Sequence, residues 1–584
     1  MQTKSCDLLV VGSGAAAMTA ALTGLVGGLK VLMVEKEHYF GGASARSGGC
    51  IWMPNLKRAE AAGGKDSRAE AIKFLSYEGG ARYNERNAAA FVDNGPKMVD
   101  FVEQNSPLRF HWLPGFPDYH CDSPGGSTSG RNYYADNWDA GLLGKEIHRL
   151  RPQLAFSTFL GMQIGVNEVG YYMTAGRKLG SLLYVAKCIL RRVRDQFRAG
   201  RTLRLGAGSA LVGTLASGAF KRGLELWTET PARELIRTGD CVTGAIVNTP
   251  TGPVQVEASR GVILATGGFP HDSKRRGELF PQGNSAPEVW GMMPYGNSGD
   301  GIRLGESVGG RFNSDMKSPI ALTPINTLHL GEGALATMPI FFNRGMPGVI
   351  AVTRDGKRFA NEGRSYHDVG VNLLRKTAGD PEAIAWIICD HRVLRRYGMG
   401  RSFPFPLPYK RFVKNGYLKR GRTIRELAQS AGIDPDGLEQ SVTAYNRFAV
   451  DGKDPEFNRG TNAYDIANGD PEHKPNPCIG PLDHAPFYAI RVFAGCVGTF
   501  AGLQTNENAQ VVDNAGRPIE GLYAVGNDMA SITGGDYIAG GCTLGPGMTF
   551  GYIAGQHASA KVAGLSRAAA VDYASGVAER SMAR

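Results

Sequence analysis

The first apolar residues form an unbroken run, Leu8 to Val11, that stops at Gly12-Ser13-Gly14 and passes into the small-residue stretch Ala15-Ala16-Ala17. A second run, Val31 to Val34, ends in Glu35. Short apolar runs bounded by turn residues predict strands buried on both faces, and strand, glycine turn, helix and strand in this order predict a parallel βαβ unit. From about Ser67 to Glu103 the sequence is charged and helical in pattern. Asn105 to Tyr134 loses that pattern and is rich in Pro, Gly, Ser and aromatic residues, so it predicts a loop; one so long is usually functional. From Ser181 to Arg198, Leu182, Val185, Ala186, Ile189, Val193 and Phe197 recur at helical spacing beside a stripe of Lys187, Arg191, Arg194 and Arg198, predicting an amphipathic helix inserted at about residues 160–204. Strands are expected at Leu224–Leu235 and Val242–Val247, joined by Gly239-Asp240, and at Gly261–Leu264, which runs into Thr266-Gly267-Gly268. From about Phe312 to Ala494 the composition shifts toward Arg, Pro and aromatic residues, with an Asp355-Gly356 hairpin expected between Val352 and Glu362. The glycine-and-strand rhythm then returns. Gly521 to Val525 predicts a buried strand ending at Asn527 and Asp528, and Thr533 to Gly547 a glycine-rich loop that opens a last helix from Met548 to Ala563.

Composition narrows this picture. A chain of 584 residues exceeds one ordinary core, so at least two domains are expected. Its 80 glycines are dispersed rather than periodic, which excludes collagen-like and low-complexity readings and suits backbone lying close to a large ligand. Nine cysteines without paired spacing argue against a disulfide framework or a zinc site and suit a reduced, cytoplasmic protein. The amino terminus runs almost directly into the first strand, so no signal peptide is expected, and no apolar run reaches the ~20 residues that span a bilayer. The net charge of +11 invites a nucleic-acid reading, but no basic, aromatic-studded motif supports one. Much of the excess lies between Arg177 and Arg204, where Asp195 is the single acid. A basic amphipathic helix of this kind either lies in a membrane interface, here the inner face, or packs on its own protein.

Gly12-Ser13-Gly14-Ala15-Ala16-Ala17 is a GxGxxA dinucleotide fingerprint. Gly12 permits the tight turn, Gly14 lets backbone approach a pyrophosphate, and Ala17 is small enough for close helix–strand packing. The first N–H groups of the helix face the phosphates, and Glu35, with Lys36 beside it, sits where an acid accepts from a ribose hydroxyl. Gly41 to Gly49 is a second stretch of small residues just beyond.

That second stretch resembles the GG-x-S-x-x-S-GG segment of the fumarate reductase and 3-ketosteroid dehydrogenase flavoproteins, with Gly42, Ala43, Ser44, Ser47, Gly48 and Gly49 in the cofactor-facing places. The resemblance implies FAD, bound rather than bonded, because the segment lacks the histidine that tethers flavin in some relatives. No second fingerprint suggests a separate NAD(P)H domain. The strand ending in Thr266, Gly267 and Gly268 resembles the same proteins. By resemblance the fold is α/β: a Rossmann-like, GR2-type FAD-binding domain of residues 1–310 and 495–584 with an inserted α+β substrate-capping domain of 311–494. Further flavin contacts are expected from Ala232, Asn527, Asp528, Thr543 and Leu544, with the helix that starts near Thr543 favouring negative charge on the flavin N1–C2 edge.

Carboxylate-reducing members present arginines after the Phe-x-Asn-Glu turn and in the last glycine-rich loop. Here those places hold Tyr366 and Tyr537, and a tyrosine cannot form a charged carboxylate clamp. The pattern resembles instead the 3-ketosteroid Δ1-dehydrogenase family: Tyr119 in Phe-Pro-Asp-Tyr, Tyr366 after Asn-Glu, and Tyr537 with Gly541 in Tyr-x-x-x-Gly. Desaturation beside a ketone needs loss of an α proton, loss of a hydride from the neighbouring carbon, and donors for the enolate-like oxygen. By resemblance Tyr537 and Gly541 N–H donate to the ketone, Tyr366 takes the C2 proton, and Tyr119 supports it, since a free tyrosine titrates near pH ~10. One tyrosine in an aromatic loop is ordinarily packing; three at matching places favour catalysis. His367 is a weaker candidate base, expected to point away as the next residue on a strand, and Cys542 has no partner base. The expected activity is oxidation of a 3-keto-4-ene steroid to the 1,4-dien-3-one in steroid degradation, with a quinone or similar external electron acceptor. Rival readings are a 5α-steroid Δ4-dehydrogenase, a flavoenzyme of another apolar enone or of a carboxylate, and a non-catalytic membrane-associated flavoprotein.

Overall fold

Four successive apolar residues need cover on both sides. The chain places β1 (Gln2–Val11) inside a parallel sheet, paired on one side with β2 (Val31–Val34) and on the other with the strand Gly252–Leu264, and packs α1 (Ala15–Val26), which follows Gly14, against it. The computed structural model describes residues 1–560, apart from 62, 65, 155–156, 281–290, 330–334 and 342.

The charged stretch expected to be helical forms two helices, α2 (Arg68–Gly79) and α3 (Glu85–Asn105). The break falls at Gly80, whose φ of 55° no right-handed helix accommodates. The expected loop of 105–134 carries short strands near both ends, Phe110–Trp112 and Asn132–Ala135, which pair with each other, and Asn132–Ala135 also pairs with Cys50–Trp52. α4 (Leu179–Ala199) is the amphipathic helix, one turn longer than its apolar pattern, and α5 (Ala207–Phe220) follows it into the core. Then come β3 (Glu225–Trp227), β4 (Ala232–Thr238), β5 (Cys241–Thr249) and β6 (Gly252–Leu264). The first sheet runs β3-β2-β1-β6-β5-β4, parallel as far as β6 and antiparallel beyond it.

The second sheet is antiparallel. It comprises β7 (Ile320–His329), β8 (Leu335–Pro339), β9 (Val349–Val352), then, after α6 (Tyr366–Lys376), β10 (Ile384–Asp390), β11 (Lys419–Gly421) and β12 (Phe487–Thr499). Its order is β8-β7-β12-β10-β9, with β11 also on β12. The expected Asp355-Gly356 hairpin shrinks to a tight turn with a single bridge, Val352 to Arg358. The returning limb is spent otherwise: Arg358 is buried between Glu362 and Asp454.

The chain then re-enters the first sheet. β13 (Gln510–Val512) pairs with β14 (Pro518–Ala524), and β14 lies parallel to β6 with Leu522 opposite Val262. α7 (Leu544–Ala560) begins four residues before the expected start, and residues 561–563 of the expected helix lie outside the described residues. Small residues let α7 press onto α1: a Cβ on Gly551 would lie 2.4 Å from Ala16 O. This is the α/β architecture with an inserted antiparallel unit that the sequence predicts.

Candidate active site

A cavity of about 880 Å³ runs from the glycine turn after β1 to the space between the two sheets. At one end stand Gly12, Ser13, Gly14, Ala15 and Ala16, with Glu35 and Lys36 at the end of β2. Gly12 has a φ of 106°, and a Cβ there would lie 2.2 Å from Ala265 O. α1 opens without a side-chain cap on Gly14; instead Ser44 Oγ accepts from Ala15 N at 3.0 Å. The second small-residue stretch thus braces the first and leaves the next N–H groups of the helix to the cavity. Glu35 is buried, accepts from Ser13 Oγ and from Glu37 N at 3.0 Å, and its carboxyl is pushed up by that burial. Lys36 donates to Ser298 at 2.7 Å and pairs with Asp300.

Gly42, Ala43, Ser44, Ser47 and Gly48 line the cavity, as do Ala232, Thr266, Gly267, Asn527, Thr543 and Leu544. Three expected cofactor contacts stand behind the wall instead. Gly49 packs on the start of α5, where a Cβ would lie 2.4 Å from Ala207 C. Gly268 is closed off by Thr499 and Asn527. Asp528 is fully buried and accepts from Thr266 N, Thr266 Oγ1 at 3.0 Å and Gly268 N at 2.8 Å. Its carboxylate thus bolts the turn after β6 to the turn after β14, and burial raises its pKa to about 6. Periodicity missed Arg46, Arg151, Thr230 and Asn297, which join this end of the cavity from four separate segments without a shared motif.

The other end gathers the three tyrosines. Tyr119 and Tyr366 have ring centroids 5.4 Å apart, Tyr366 and Tyr537 4.9 Å, and Tyr119 and Tyr537 5.9 Å. The main chain holds them together: Tyr119 N donates to Ile538 O at 2.8 Å, and Ser365 Oγ to Tyr537 O at 3.5 Å. Asp118 anchors the Tyr119 loop by accepting from Trp52 Nε1 and Arg131 Nη1, each at 2.9 Å, and from Ser127 N at 3.0 Å. Behind the rings, His120 bridges Glu78 at 3.0 Å and Asp368 at 3.1 Å, and its pKa stands well above the ordinary value because Asp368 faces it. Burial pushes the hydroxyls of Tyr119, Tyr366 and Tyr537 upward.

Tyr366 begins α6 rather than lying on a strand, with Ser365 as N-cap accepting from His367 N at 3.2 Å. His367 is therefore set aside by its helical direction, not by strand alternation. Its Nδ1 accepts from Leu322 N at 3.0 Å and burial holds it neutral, outside the cavity wall. Cys542 is buried, with its thiol pushed up to about 12. Gly541 lines the cavity, and its N–H has no protein acceptor among the described residues. A Cβ there would lie 2.3 Å from Cys50 O, so packing alone already demands glycine.

Around the tyrosines the wall is apolar: Phe116, Phe341, Phe403 and Tyr464, then Tyr172, Val185 and Ile189 where α4 meets the cavity. The cationic residues on the cavity wall, Lys36, Arg46 and Arg151, cluster at the Glu35 end, where Arg151 faces Glu37 at 3.5 Å.

A family model described as an FAD binding domain matches residues 7–544. The chain belongs to the FAD-binding flavoprotein family that contains the 3-oxosteroid 1-dehydrogenases. It is 33% identical over 573 residues to the 3-oxosteroid 1-dehydrogenase of Mycobacterium tuberculosis strain H37Rv, covering 95% of this chain and 99% of that one. It is 38% identical over 560 residues to the 4-oxocyclohex-2-ene-1-carboxylate 5-dehydrogenase of Sinomonas cyclohexanicum, covering 95% and 94%. The crystal structure of 3-ketosteroid Δ1-dehydrogenase from Sterolibacterium denitrificans, in complex with 1,4-androstadiene-3,17-dione, superposes with a TM-score of 0.88 at 36% identity, over 96% of this chain and 100% of that one. This flavoprotein is thus an FAD-dependent oxidoreductase acting on CH–CH groups. The uncapped start of α1, the buried acid after β2 and the glycine cradle suit a dinucleotide's pyrophosphate and ribose, so the residues fit FAD. Among the described residues no helix is long and apolar enough to cross a membrane.

Proposed function

We propose that this flavoprotein is a 3-ketosteroid Δ1-dehydrogenase, converting a 3-keto-4-ene steroid to the 1,4-dien-3-one. The observation that carries the reading is the meeting of Tyr119, Tyr366 and Tyr537 beside Gly541 in an otherwise apolar end of the cavity. Bound FAD supplies the acceptor for the C1 hydride. Gly12 to Ala16, Glu35, Gly42, Ala43, Ser44, Ser47, Gly48 and Thr266-Gly267 would hold it, together with Asn527, Thr543 and Leu544. The chain's own residues do the rest. Tyr537 O–H and Gly541 N–H donate to the C3 ketone oxygen, where charge gathers as the C2 proton leaves. A phenol whose pKa burial has raised stays protonated and remains a donor, which suits Tyr537. Tyr366 accepts the C2 proton, and the Tyr119 hydroxyl beside it steadies the phenolate. The apolar wall receives the steroid rings and excludes water.

The similarity to a cyclohexene-carboxylate dehydrogenase gives a second reading a specific basis. A carboxylate bound beside the tyrosines calls for a cation there, and the lining cations stand at the nucleotide end. Anaerobic mixing decides between them. Bleaching of the flavin band by a 4-en-3-one steroid, with a 1,4-dien-3-one product, is expected. Bleaching by 4-oxocyclohex-2-ene-1-carboxylate alone overturns the steroid reading, and bleaching by a saturated 5α-3-ketone alone moves it to Δ4 chemistry.

The same reading gives α4 a task. It leaves Leu179, Leu190 and Phe197 exposed at 71%, 71% and 88% among its arginines, while its inner residues Val185 and Ile189 reach the cavity. A lipid surface that covers this face brings apolar substrate to the cavity mouth. Replacing Leu190 and Phe197 together by Glu is expected to abolish co-sedimentation with anionic vesicles while leaving flavin content intact. Unchanged co-sedimentation assigns α4 to the protein's own surface.

A further inference from the structure

Each of the three tyrosines has a charged residue close by in sequence: His120 follows Tyr119, Asp368 lies two residues beyond Tyr366, and Asp536 precedes Tyr537. The fold gathers these residues around Glu78, near the end of α2. His120 Nδ1 lies 3.0 Å from Glu78 Oε2, and its Nε2 lies 3.1 Å from Asp368 Oδ2. Polar atoms of Glu78, His120 and Asp536 fall within 4.8 Å of one another. The side chains of His120 and Glu78 are 14% and 5% exposed. A neutral imidazole donates from one ring nitrogen and accepts at the other. A carboxylate at each ring nitrogen needs two donors, so His120 is an imidazolium. Burial alone would raise both carboxyls, yet the facing imidazolium holds Glu78 and Asp368 below their ordinary range.

The other charges around this pair have partners of their own. Lys317 Nζ donates to Asp536 Oδ2 at 3.4 Å, and His367 Nε2 stands 4.0 Å from Asp536 Oδ1. Arg364 donates to Asp122 at 2.9 Å. What His120 adds is a link. Tyr119 N ties its loop to the Tyr537 loop, and Ser365 ties the start of α6 to the same loop. Among the described residues no main-chain hydrogen bond joins the Tyr119 loop to the start of α6. That third side of the triangle is closed by ring packing and by two ion pairs. One is His120 with Asp368; the other is Arg364 with Asp122, at the surface, where the side chains are 29% and 46% exposed. A buried ion pair adds little net stability, because desolvation offsets its attraction; its use is to fix register.

We propose that His120 is a positioning residue of the reaction: held between Glu78 and Asp368, its imidazolium locks the Tyr119 loop to the start of α6 and so sets Tyr119 against Tyr366, the base and its supporting hydroxyl. The two rings stand 5.4 Å apart, and His120 itself is not on the cavity wall. It therefore acts through the tyrosines and not on the substrate. A displacement of about 1 Å between reacting groups is enough to cost about 10²-fold in rate. This rests on the dehydrogenase reading.

The test uses holoenzymes of wild type, His120→Gln, Asp368→Asn, the double variant, and Asp122→Asn as the surface counterpart. Without steroid, nitrogen-15 histidine labelling and NMR report the ring protons. The difference between wild type and His120→Gln should show both nitrogens protonated up to about pH 8, where an ordinary histidine is neutral. A neutral ring at about pH 7 overturns the proposal. With a 4-en-3-one steroid, anaerobic single-turnover bleaching is measured per bound flavin. His120→Gln and Asp368→Asn should each slow it about 10–100-fold at saturating steroid, with the half-saturating steroid concentration and flavin content retained. The double variant should be no slower than the slower single one, because both break one link. Asp122→Asn should stay within about threefold of wild type. A wild-type rate per flavin in His120→Gln, even in a protein that melts earlier, makes the pair a structural tie and overturns the proposal. So do slowdowns that multiply in the double variant, or an equal slowdown in Asp122→Asn. A wild-type enzyme that no ketosteroid bleaches sinks the dehydrogenase reading instead, while the steroid-free spectrum still reports on His120.

Discussion

The nucleotide end of the cavity is made of main chain, and the tyrosine end is made of side chains. At the first, glycines allow close approach: Gly12 against the Ala265 backbone, and Gly14 against the Ser44 side chain, where a Cβ would lie 3.2 Å from Oγ. From Gly12 to Ala17 each residue answers to local geometry, so its neighbours in sequence are also its neighbours in space. At the second, Tyr119, Tyr366 and Tyr537 come from a loop, a helix start and a glycine turn hundreds of residues apart. They are joined by Tyr119 N to Ile538 O and by Ser365 to Tyr537 O. The difference teaches where each end is fragile. A backbone wall fails by steric intrusion and loses cofactor; a side-chain wall fails by losing one hydroxyl and keeps cofactor without turnover.

The sharpest way to break that contrast is Tyr366→Phe. The steroid-driven reductive half-reaction is expected to fall about 10²–10⁴-fold with the flavin spectrum intact, measured by stopped-flow bleaching. A variant that instead loses flavin would merge the two ends into one. Next in size is Gly12→Ala, which drives a Cβ to 2.2 Å from Ala265 O at a φ of 106°. It should cost about 2–4 kcal/mol and lower the flavin-to-protein ratio and the thermal midpoint. Gly42→Ala is the matched control. Its φ is 52°, but its nearest neighbour lies 3.6 Å away, so a penalty of about 1 kcal/mol is expected.

Asp528 refines the picture behind the nucleotide wall. Its folded pKa of about 6 lies above the ordinary 3.8, so the fold favours its protonated form. The stability it adds is therefore complete below about pH 4 and lost as pH rises through 6. Asp528→Asn cannot titrate. The stability difference between wild type and variant should move against wild type by about 2–3 kcal/mol across that window, read from urea unfolding at successive pH values.

The same contrast explains what could be read from sequence. Gly12 to Ala17 and Glu35 announced a βαβ unit because a phosphate-binding turn leaves a fixed spacing. Gly49, Gly268 and Asp528 carry the same glycine-rich signature yet serve packing, since a positive φ or a close backbone approach looks alike in sequence whether a ligand or another strand lies opposite. Tyr119, Tyr366 and Tyr537 were found through resemblance, not periodicity. The α6 start at Tyr366 was missed, although Ser365 is a good N-cap and Asp368 sits in the first turn.

The late return of β14 to β6 has a consequence for how the chain folds. Val262 waits for Leu522, some 260 residues downstream, before its strand is flanked on that side. A pairing of such sequence separation forms slowly, because the intervening loop must be closed first. During synthesis at about 5–20 residues per second, the parallel sheet of the first half stands with an open edge for tens of seconds. The inserted unit folds in that interval, so a destabilised β7–β12 sheet should first show itself as aggregation of nascent protein rather than as altered turnover of the molecules that survive.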